Sequence, residues 1–414
     1  MKCKYNIVLA CGGFGTRLKN VTGELPKPLF PLLKKSTLER CIEQLSLFEF
    51  KEIFITIGYQ KSLFKEYIDQ FNNKYKINIQ IFKEEIPMGE CGALWDLKKN
   101  LSEKFIFING DLIFSLDFQK LIAFHERLNS SLTLVSHTSD HPEDSDLISA
   151  PNGTLIENIF LKNIQNNNLN ENAYLGNAGI FVVNKNILDK LDRPKENDSK
   201  SFFHYIVNNL YKKNHNIFTY NTTEYIKDMG TPSRLKIVEK DIINNRLFMK
   251  NYKTKQRALF LDRDNTLIKC DKGNYIIDLE NVEFIDKNIM KIVSLAKNFD
   301  FVCMVTNQPT ISMGLLSIYE LEKINSMIIK YCLSRNLKID VVTFCPHHPH
   351  NGFEGEVSLL KKDCFCRKPN PGLFFEQAFL RNIDLSNSLM IGDSDIDKLA
   401  SQNAGCLFKH VNDL

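Results

Sequence analysis

Two α/β domains in tandem, each a Rossmann-like sheet flanked by helices, are what this sequence predicts. Three observations point there. The chain has 414 residues, more than one ordinary hydrophobic core organises. Short apolar runs rich in β-branched residues alternate with stretches whose apolar residues recur at helical spacing, the rhythm of a mostly parallel sheet. That rhythm stops at a basic, polar stretch, NYKTKQ at 251–256, and restarts at Arg257.

In chain order, Tyr5–Ala10, Glu52–Ile57, Ile77–Phe82 and Phe105–Asn109 read as strands, and Thr37–Leu47 and Lys61–Phe71 as helices. Lys162–Asn172 (KNIQNNNLNEN) lacks apolar periodicity and reads as a surface loop. Gly176–Val183 returns to strand, and Ile237–Lys255 reads as a terminal helix running into the linker. Beyond it, Ala258–Asp262, Asp300–Thr306, Val341–Phe344 and Ser388–Ile391 are strands, with helices at Lys287–Ala296 and Ile318–Arg335. The predicted division is a first domain over 1–245, a linker over 246–256 and a second domain over 257–414.

Composition narrows the class. Hydrophobic residues make up 43% and charged residues 25%, as expected of a soluble globular protein. Lys+Arg 53 against Asp+Glu 49 gives +4, too weak to argue for a nucleic acid or a membrane surface as partner. No apolar run is long enough to span a bilayer. The start, MKCKYNIVLACGG, has an apolar run shorter than a signal-peptide core and interrupted by glycines, so it reads as a first strand of a cytoplasmic protein. Eleven cysteines in such a protein are expected free or metal-bound. An oligomer is compatible with the sequence.

The chemistry of the first half begins at CGGFGTRL (11–18). A strand ending in glycines can turn successive backbone N–H groups toward a phosphate, and Gly12, Gly13, Gly15 and Thr16 form that loop. Arg17 adds a bidentate donor. Lys27 stands between Pro26 and Pro28, which restrict its backbone. Asp111 follows the strand FIFING at its carboxyl end, where ligands bind in open α/β sheets. Asp228 precedes a Gly-Thr-Pro turn and a helix. Either acid alone is an ordinary turn or cap residue; together they supply hard oxygen ligands for Mg²⁺ on substrate phosphates.

With GGFGTRL, PKP, PMGECGAL, NGD, GNAGIFV and DMGTP in this order, residues 4–245 resemble the sugar-1-phosphate nucleotidyltransferases, which have a mixed sheet. The resemblance implies that the Gly-rich loop holds the nucleotide phosphates and Lys27 contacts phosphate. It also implies that Met88–Leu94, including Gly89, lies along the base, that Asp111 and Asp228 hold Mg²⁺, and that Lys162 and Asn177 contact the sugar phosphate. The implied reaction is attack of a sugar phosphate oxygen on the α-phosphorus of a nucleoside triphosphate. Two departures stand out. Gly89-Glu90-Cys91-Gly92 replaces Gly-Thr-Ala/Gly-Gly, and Leu161-Lys162 replaces Glu-Lys.

The second half opens with LDRDNTL (261–267). Asp262 and Asp264 follow a buried-type strand at a spacing that suits one metal. Asp262 can attack phosphorus, and Asp264 can protonate the leaving oxygen and then activate water. Thr306 and Asn307 end the next strand and offer a hydroxyl and an amide to phosphate; Lys368 supplies positive charge. Asp393, after the strand LMIG, completes the Mg²⁺ set with Asp262 and Asp264, and Asp397 supports it. In this order the four elements resemble the haloacid dehalogenase superfamily over residues 257–410, which implies a parallel sheet and phosphomonoester hydrolysis.

The insert CPHHPHNGFEGEVSLLKKDCFC (345–366) carries Cys345, Cys364 and Cys366 with His347, His348 or His350, a set suited to a tetrahedral Zn²⁺. With this clip the half resembles the D,D-heptose 1,7-bisphosphate 7-phosphatases and their histidinol-phosphatase relatives. That resemblance selects His347 as the fourth, structural Zn²⁺ ligand and implies that Arg367 contacts a distal phosphate. Met313 stands where relatives carry Arg, and Asn265 where they carry Gly. The pairing of both halves implies consecutive steps on one sugar. The 7-phosphate of D-glycero-D-manno-heptose 1,7-bisphosphate is removed, and a nucleotide, GTP by resemblance, is then joined to give GDP-D-glycero-α-D-manno-heptose for surface polysaccharide. The same two reactions on another sugar or base, or one half serving as a regulatory module, are the alternatives.

Overall fold

The first strand, β1 (Asn6–Ala10), is an apolar run because it lies in the middle of a sheet, covered on both faces. The computed structural model describes residues 4–13, 23, 25–58, 60–86, 88–162, 173–196, 200–271 and 273–414. Gly15, Thr16, Arg17, Pro87 and nearly all of the expected polar loop (163–172) lie outside the described residues. The chain forms two units. The first comprises Met1–Ser136, Thr154–Ile156 and Asn177–Asn251; the second comprises His137–Gly153, Glu157–Gly176 and Tyr252–Leu414.

In the first unit β1 is followed by α1 (Thr37–Leu45), β2 (Glu52–Ile57), α2 (Lys61–Tyr75) and β3 (Ile79–Lys83). Next come β4 (Lys104–Asn109), β5 (Leu112–Ser115), α3 (Phe118–Arg127) and β6 (Leu132–Thr138). The sequence boundaries of α1 and α2 have physical causes. Ser36 caps α1 by accepting from the Glu39 amide, and α2 runs to Tyr75, past the expected Phe71, until Lys76 turns left-handed. The strand order is β3-β2-β1-β4, all parallel. Then β7 (Leu175–Asn184) runs antiparallel to β4 through Ile180–Asn184, which makes the sheet mixed. Strand β8 (Ile217–Asn221) lies parallel to β6. A separate ribbon pairs β5 with β9 (Tyr225–Asp228), and α4 (Pro232–Ile243) follows directly. The expected helix over Ile237–Lys255 therefore starts earlier and stops at Ile243, where Asn244 and the left-handed Asn245 break it.

The second unit is built on β10 (Ala258–Leu261), β11 (Phe301–Asn307), β12 (Val341–Cys345), β13 (Leu389–Gly392) and β14 (Leu407–His410). Their order is β12-β11-β10-β13-β14, parallel throughout, with helices α5 (Asp286–Ala296), α6 (Ile318–Ser334), α7 (Gly372–Arg381) and α8 (Asp395–Ala404) between them. A capping box at Ser317 and Glu320 starts α6 where the sequence predicts it. Residues 137–153 group with this unit through specific bonds. The Thr138 hydroxyl donates to the Asp340 carbonyl (2.9 Å), Lys338 pairs with Asp140 (2.6 Å), and the buried Glu322 carboxylate accepts from the Ser149 hydroxyl and the Ala150 amide. Burial pushes the Glu322 carboxyl up to about 7.

Two candidate active sites

In the first unit the site forms where β1, β4 and the β5–β9 ribbon end. Gly110 is required at the end of β4, because a Cβ there would sit 2.5 Å from the Ala10 carbonyl oxygen and 2.6 Å from the Cys11 sulfur. The next residue, Asp111, accepts from the Lys27 ammonium at 2.6 Å. Lys27 is held in a single 3₁₀ turn between its two prolines. The ribbon register sets Asp228 opposite Leu112, and the Met229 amide donates to the Asp111 carbonyl (3.2 Å), so both acids share one end of the ribbon.

Asp228 accepts from the Gly230 amide (2.8 Å), and Arg234 Nη1 reaches both its oxygens at 2.9 Å. Burial alone would raise its carboxyl, but the Gly230 amide, Arg234 and the nearby Lys27 outweigh it and hold it below the usual range. The two predicted acids and Lys27 are thus brought together. Lys27 occupies only Asp111 Oδ2, and two hard carboxylates at one ribbon end fit a divalent cation.

Other predicted residues have narrower placements. Asn177 Oδ1 accepts from the Gly179 amide at 3.0 Å. Lys162 follows a short strand, Asn158–Phe160, in the second unit, and its amide donates to Asp146 Oδ1. Gly12 and Gly13 follow β1; Gly89 lies in a turn. The departure at Glu90 has a structural role, since its carboxylate accepts from the Phe202 amide (3.0 Å). Sequence reasoning missed Arg234, one turn into the helix that DMGTP starts. It also missed Glu84, whose half-buried carboxylate accepts from the Ala93 amide (3.1 Å), beside Gly12.

In the second unit the strand ends of β10, β11 and β13 converge. Asp262 leaves β10 and its amide bonds the Ile391 carbonyl of β13 (2.9 Å). Lys368 lies buried between two acids, 2.6 Å from Asp262 Oδ1 and 2.6 Å from Asp397 Oδ1. Burial would lower this lysine, but the two carboxylates reverse the effect and hold it above the ordinary value. Burial, with Asp397 and Asp264, pushes the Asp262 carboxyl up to about 7 against the opposing Lys368. Asp397 also accepts from the Ser394 hydroxyl (2.6 Å). At Gly392 a Cβ would fall 2.5 Å from Asp397 Oδ2, so the glycine before Asp393 is as necessary as Gly110.

Carboxylate oxygens of Asp262, Asp393 and Asp397 lie within 4.8 Å of one another. Asp264 is not in that cluster: its carboxylate is turned onto Arg263 (2.9 and 3.2 Å) and Gln308 (3.1 Å). Arg263 pairs with Asp264, and Lys368 is the cation paired within the Asp262–Asp393–Asp397 cluster, so that cluster carries more carboxylates than cations and suits a divalent ion. Burial raises the Asp393 carboxyl, as it does that of Asp262; a bound cation reverses both effects.

Thr306 is buried at the end of β11 and accepts from Gln308 (2.9 Å). The Asn307 side chain, expected on phosphate, is spent on the main chain of Lys368, accepting from its amide (2.9 Å) and donating to its carbonyl (3.0 Å). It aims the lysine. Arg367 donates to the His347 carbonyl (3.1 Å). Asn265 adopts φ +56°, the left-handed geometry that explains why glycine is common there and why asparagine is tolerated. Met313 is buried.

Beside this site Cys345, His347, Cys364 and Cys366 converge. The sulfur pairs are 3.3–3.5 Å apart, with His347 Nδ1 3.2 Å from Cys366 and 3.6 Å from Cys345. A tetrahedron of thiolates about 2.3 Å from a metal has edges of roughly 3.8 Å, so the set needs only slight expansion to hold an ion. Hydrogen bonding with Cys345, then with Cys364 and His347, lowers the Cys366 thiol to about 5, toward the thiolate form a metal requires. His348 Nδ1 accepts instead from the His350 amide. No disulfide joins the described cysteines. Among the described residues, no helix is long and apolar enough to cross a membrane.

These two sites define the class: a nucleotidyltransferase joined to an aspartate-based phosphatase. Residues 5–245 match the nucleotidyl transferase family and residues 365–411 the HAD-hydrolase-like family. The chain belongs to the nucleotidyl transferase family and carries a HAD-like phosphatase domain in the same polypeptide. It is 35% identical over 150 residues to a D-glycero-beta-D-manno-heptose-1,7-bisphosphate 7-phosphatase of Escherichia coli, covering 36% of this chain and 76% of that relative. It is 26% identical over 233 residues to a mannose-1-phosphate guanyltransferase of Yarrowia lipolytica, covering 54% of this chain and 60% of that relative. A similar solved structure is HddC from Yersinia pseudotuberculosis, at 25% identity and a TM-score of 0.48, covering 57% of this chain and 99% of that one.

Proposed function

We propose that this chain removes the 7-phosphate of D-glycero-D-manno-heptose 1,7-bisphosphate and then joins the resulting heptose 1-phosphate to GTP, giving GDP-D-glycero-α-D-manno-heptose. The observation that carries the reading is the pairing, in one chain, of the Lys27–Asp111/Asp228–Arg234 site with the Lys368–Asp262/Asp397 site. The heptose rests on the relative matched over 76% of its length, and the guanine on the guanyltransferase relative. The proposed division is a transferase over 1–245, a linker over 246–256 and a phosphatase over 257–414. In this reading the enzyme works in the cytoplasm, where nucleoside triphosphates are made.

In the phosphatase, an Asp262 oxygen bonds to phosphorus while the bond to the sugar oxygen breaks, and Asp264 gives that oxygen its proton. Water then attacks the aspartyl-phosphate, gives its proton to Asp264 and releases orthophosphate and Asp262. Lys368 holds the nucleophile and offsets its charge. Asp262, Asp393 and Asp397 would hold Mg²⁺, which would supply charge neutralisation at the phosphate. Cys345, His347, Cys364 and Cys366 would hold a structural Zn²⁺, which would fix the segment that carries Arg367 and Lys368.

In the transferase, a phosphate oxygen of the sugar attacks the α-phosphorus and pyrophosphate leaves. That chemistry needs positioning and charge more than a protein nucleophile. Lys27, Arg17 and the loop of Gly12, Gly13, Gly15 and Thr16 hold phosphate oxygens, with Asp111 and Asp228 as Mg²⁺ ligands. Gly89 lies along the base, Lys162 and Asn177 hold the sugar phosphate, and Arg367 holds the distal phosphate in the phosphatase.

A matrix of the four NTPs against sugar 1-phosphates, read by pyrophosphate release, tests the reading. Both anomers of the bisphosphate are assayed for orthophosphate alongside it, because the bacterial relative is named for the beta form. Highest turnover is expected with GTP and a heptose 1-phosphate; equal turnover across all sugars overturns the heptose.

A further inference from the structure

We propose that Gln308 is a positioning residue of the phosphatase, one that fixes how the Asp264 carboxyl group and the Thr306 hydroxyl are oriented. The inference rests on the phosphatase reading above and adds to it a residue that reading does not use. Gln308 is 1% exposed and its side-chain Nε2 donates twice, to Asp264 Oδ2 at 3.1 Å and to Thr306 Oγ1 at 2.9 Å. Its own amide donates to the Cys345 carbonyl at 2.8 Å, which pins the residue to the end of β12.

The hydrogen-bond inventory then assigns the atoms. Asp264 Oδ2 accepts from Gln308 Nε2 and also from Arg263 Nη2 (3.2 Å), whereas Oδ1 accepts only from Arg263 Nε (2.9 Å). A carboxyl oxygen that already receives two N–H donors has no lone pair left in good geometry for a proton. Oδ1, with one donor, is therefore the oxygen left with capacity to face the leaving group. A hydroxyl that accepts from Gln308 has its own hydrogen free to turn elsewhere. With one lone pair of Thr306 engaged by Gln308, its O–H is left to donate to a phosphate oxygen. One buried amide thus sets both the acid and a phosphate donor. Arg263, also buried, is the second clamp on Asp264, and its Nη1 has no hydrogen-bond partner among the described residues.

The test separates proton delivery from general damage. Alkyl phosphates, such as a sugar phosphate, have a poor leaving group that needs the proton; p-nitrophenyl phosphate leaves as a stable phenolate and does not. Wild type, Gln308→Ala and Gln308→Met are assayed on both substrates, the methionine variant keeping side-chain volume in case alanine impairs folding. The expected result is a fall of about tenfold to a hundredfold in kcat on the sugar phosphate, no more than the low end of what positioned acid catalysis contributes, because Gln308 acts through Asp264. The fall on p-nitrophenyl phosphate should be at least about tenfold smaller, with KM for both shifting less than kcat. Equal losses on the two substrates overturn the role of Gln308 at Asp264, and no loss overturns its role altogether, while either leaves the phosphatase intact. A wild-type protein that hydrolyses neither substrate overturns the phosphatase reading and this inference with it.

Discussion

The two sites handle phosphate with opposite economies of charge. In the transferase the ion pairs are partly open to water: the side chains of Asp111 and Asp228 are 34% and 40% exposed, and their partners are one lysine and one arginine. In the phosphatase Lys368 and Asp397 are 3% and 1% exposed, and Arg263 is buried as deeply. A nucleotide and a sugar phosphate bring most of the charge to the first site, so the chain need only supply a few counter-charges in an open cleft. A covalent carboxylate route demands the reverse. The nucleophile must be desolvated, and its charge must then be offset by groups the chain itself buries. The comparison predicts that single substitutions in the first site cost activity, whereas those in the second cost activity and stability together.

The largest effect is expected from Asp262→Asn, which should lower phosphate release by on the order of 10⁴-fold or more, as loss of a covalent nucleophile does, while pyrophosphate release from GTP persists. Asp111→Ala should do the converse. Loss of both activities in either variant breaks the picture of two separate sites.

Next in size is the metal cluster. Elemental analysis should find about one Zn²⁺ per chain, and its removal by a chelator, or Cys364→Ser, should lower the melting temperature of the phosphatase unit. A metal-free protein of unchanged stability contradicts the site.

Lys368→Met leaves Asp262 and Asp397 buried without a counter-charge and should destabilise by about 3–5 kcal/mol in denaturant titration. Lys27→Met, at a pair whose carboxylate stays 34% exposed, should cost less, on the order of 1 kcal/mol. Similar costs at both sites erase the distinction drawn here.

A separate effect, away from both sites, is a pH dependence. Glu322 has its folded-state carboxyl raised to about 7 by burial, above the unfolded value, so its contribution to stability is fully present in acid and is lost as pH rises toward 7. Glu322→Gln keeps an acceptor for the Ala150 amide and should remove that loss, on the order of 3 kcal/mol between pH 4 and 7. Asp262 titrates in the same window in metal-free protein, so the informative quantity is the difference between variant and wild type. Parallel stability curves remove Glu322 from this role.

Much of this was legible in the sequence because periodicity and motif order report on sheets and strand ends. Strand Glu52–Ile57 and the starts of α1, α2 and α6 agree with the sequence reading to the residue: the strand is a buried apolar run, α1 and α6 have side-chain caps, and α2 buries Phe64, Ile68 and Phe71 at helical spacing. Asp111, Asp228, Asp262 and Asp393 were readable as acids at strand ends. What sequence spacing does not encode is which partner a side chain selects. Asn307 reads as a phosphate contact but folds onto Lys368, and Asp264 reads as a metal ligand but turns onto Arg263 and Gln308. Arg234 and Glu322 have no motif to announce them; their roles exist only through residues distant in sequence or a turn away in space. The grouping of 137–153 with the second unit is of the same kind, since it depends on Asp140, Ser149 and Ala150 meeting Lys338 and Glu322.

The central claim is an order of operations, and it is tested most directly with the Asp262→Asn variant, GTP and Mg²⁺. Given heptose 1,7-bisphosphate, the variant should release neither orthophosphate nor pyrophosphate; given heptose 1-phosphate, it should release pyrophosphate at the wild-type rate. Pyrophosphate released from the bisphosphate at that same rate would contradict the account, because nucleotidyl transfer would then not wait for the phosphatase.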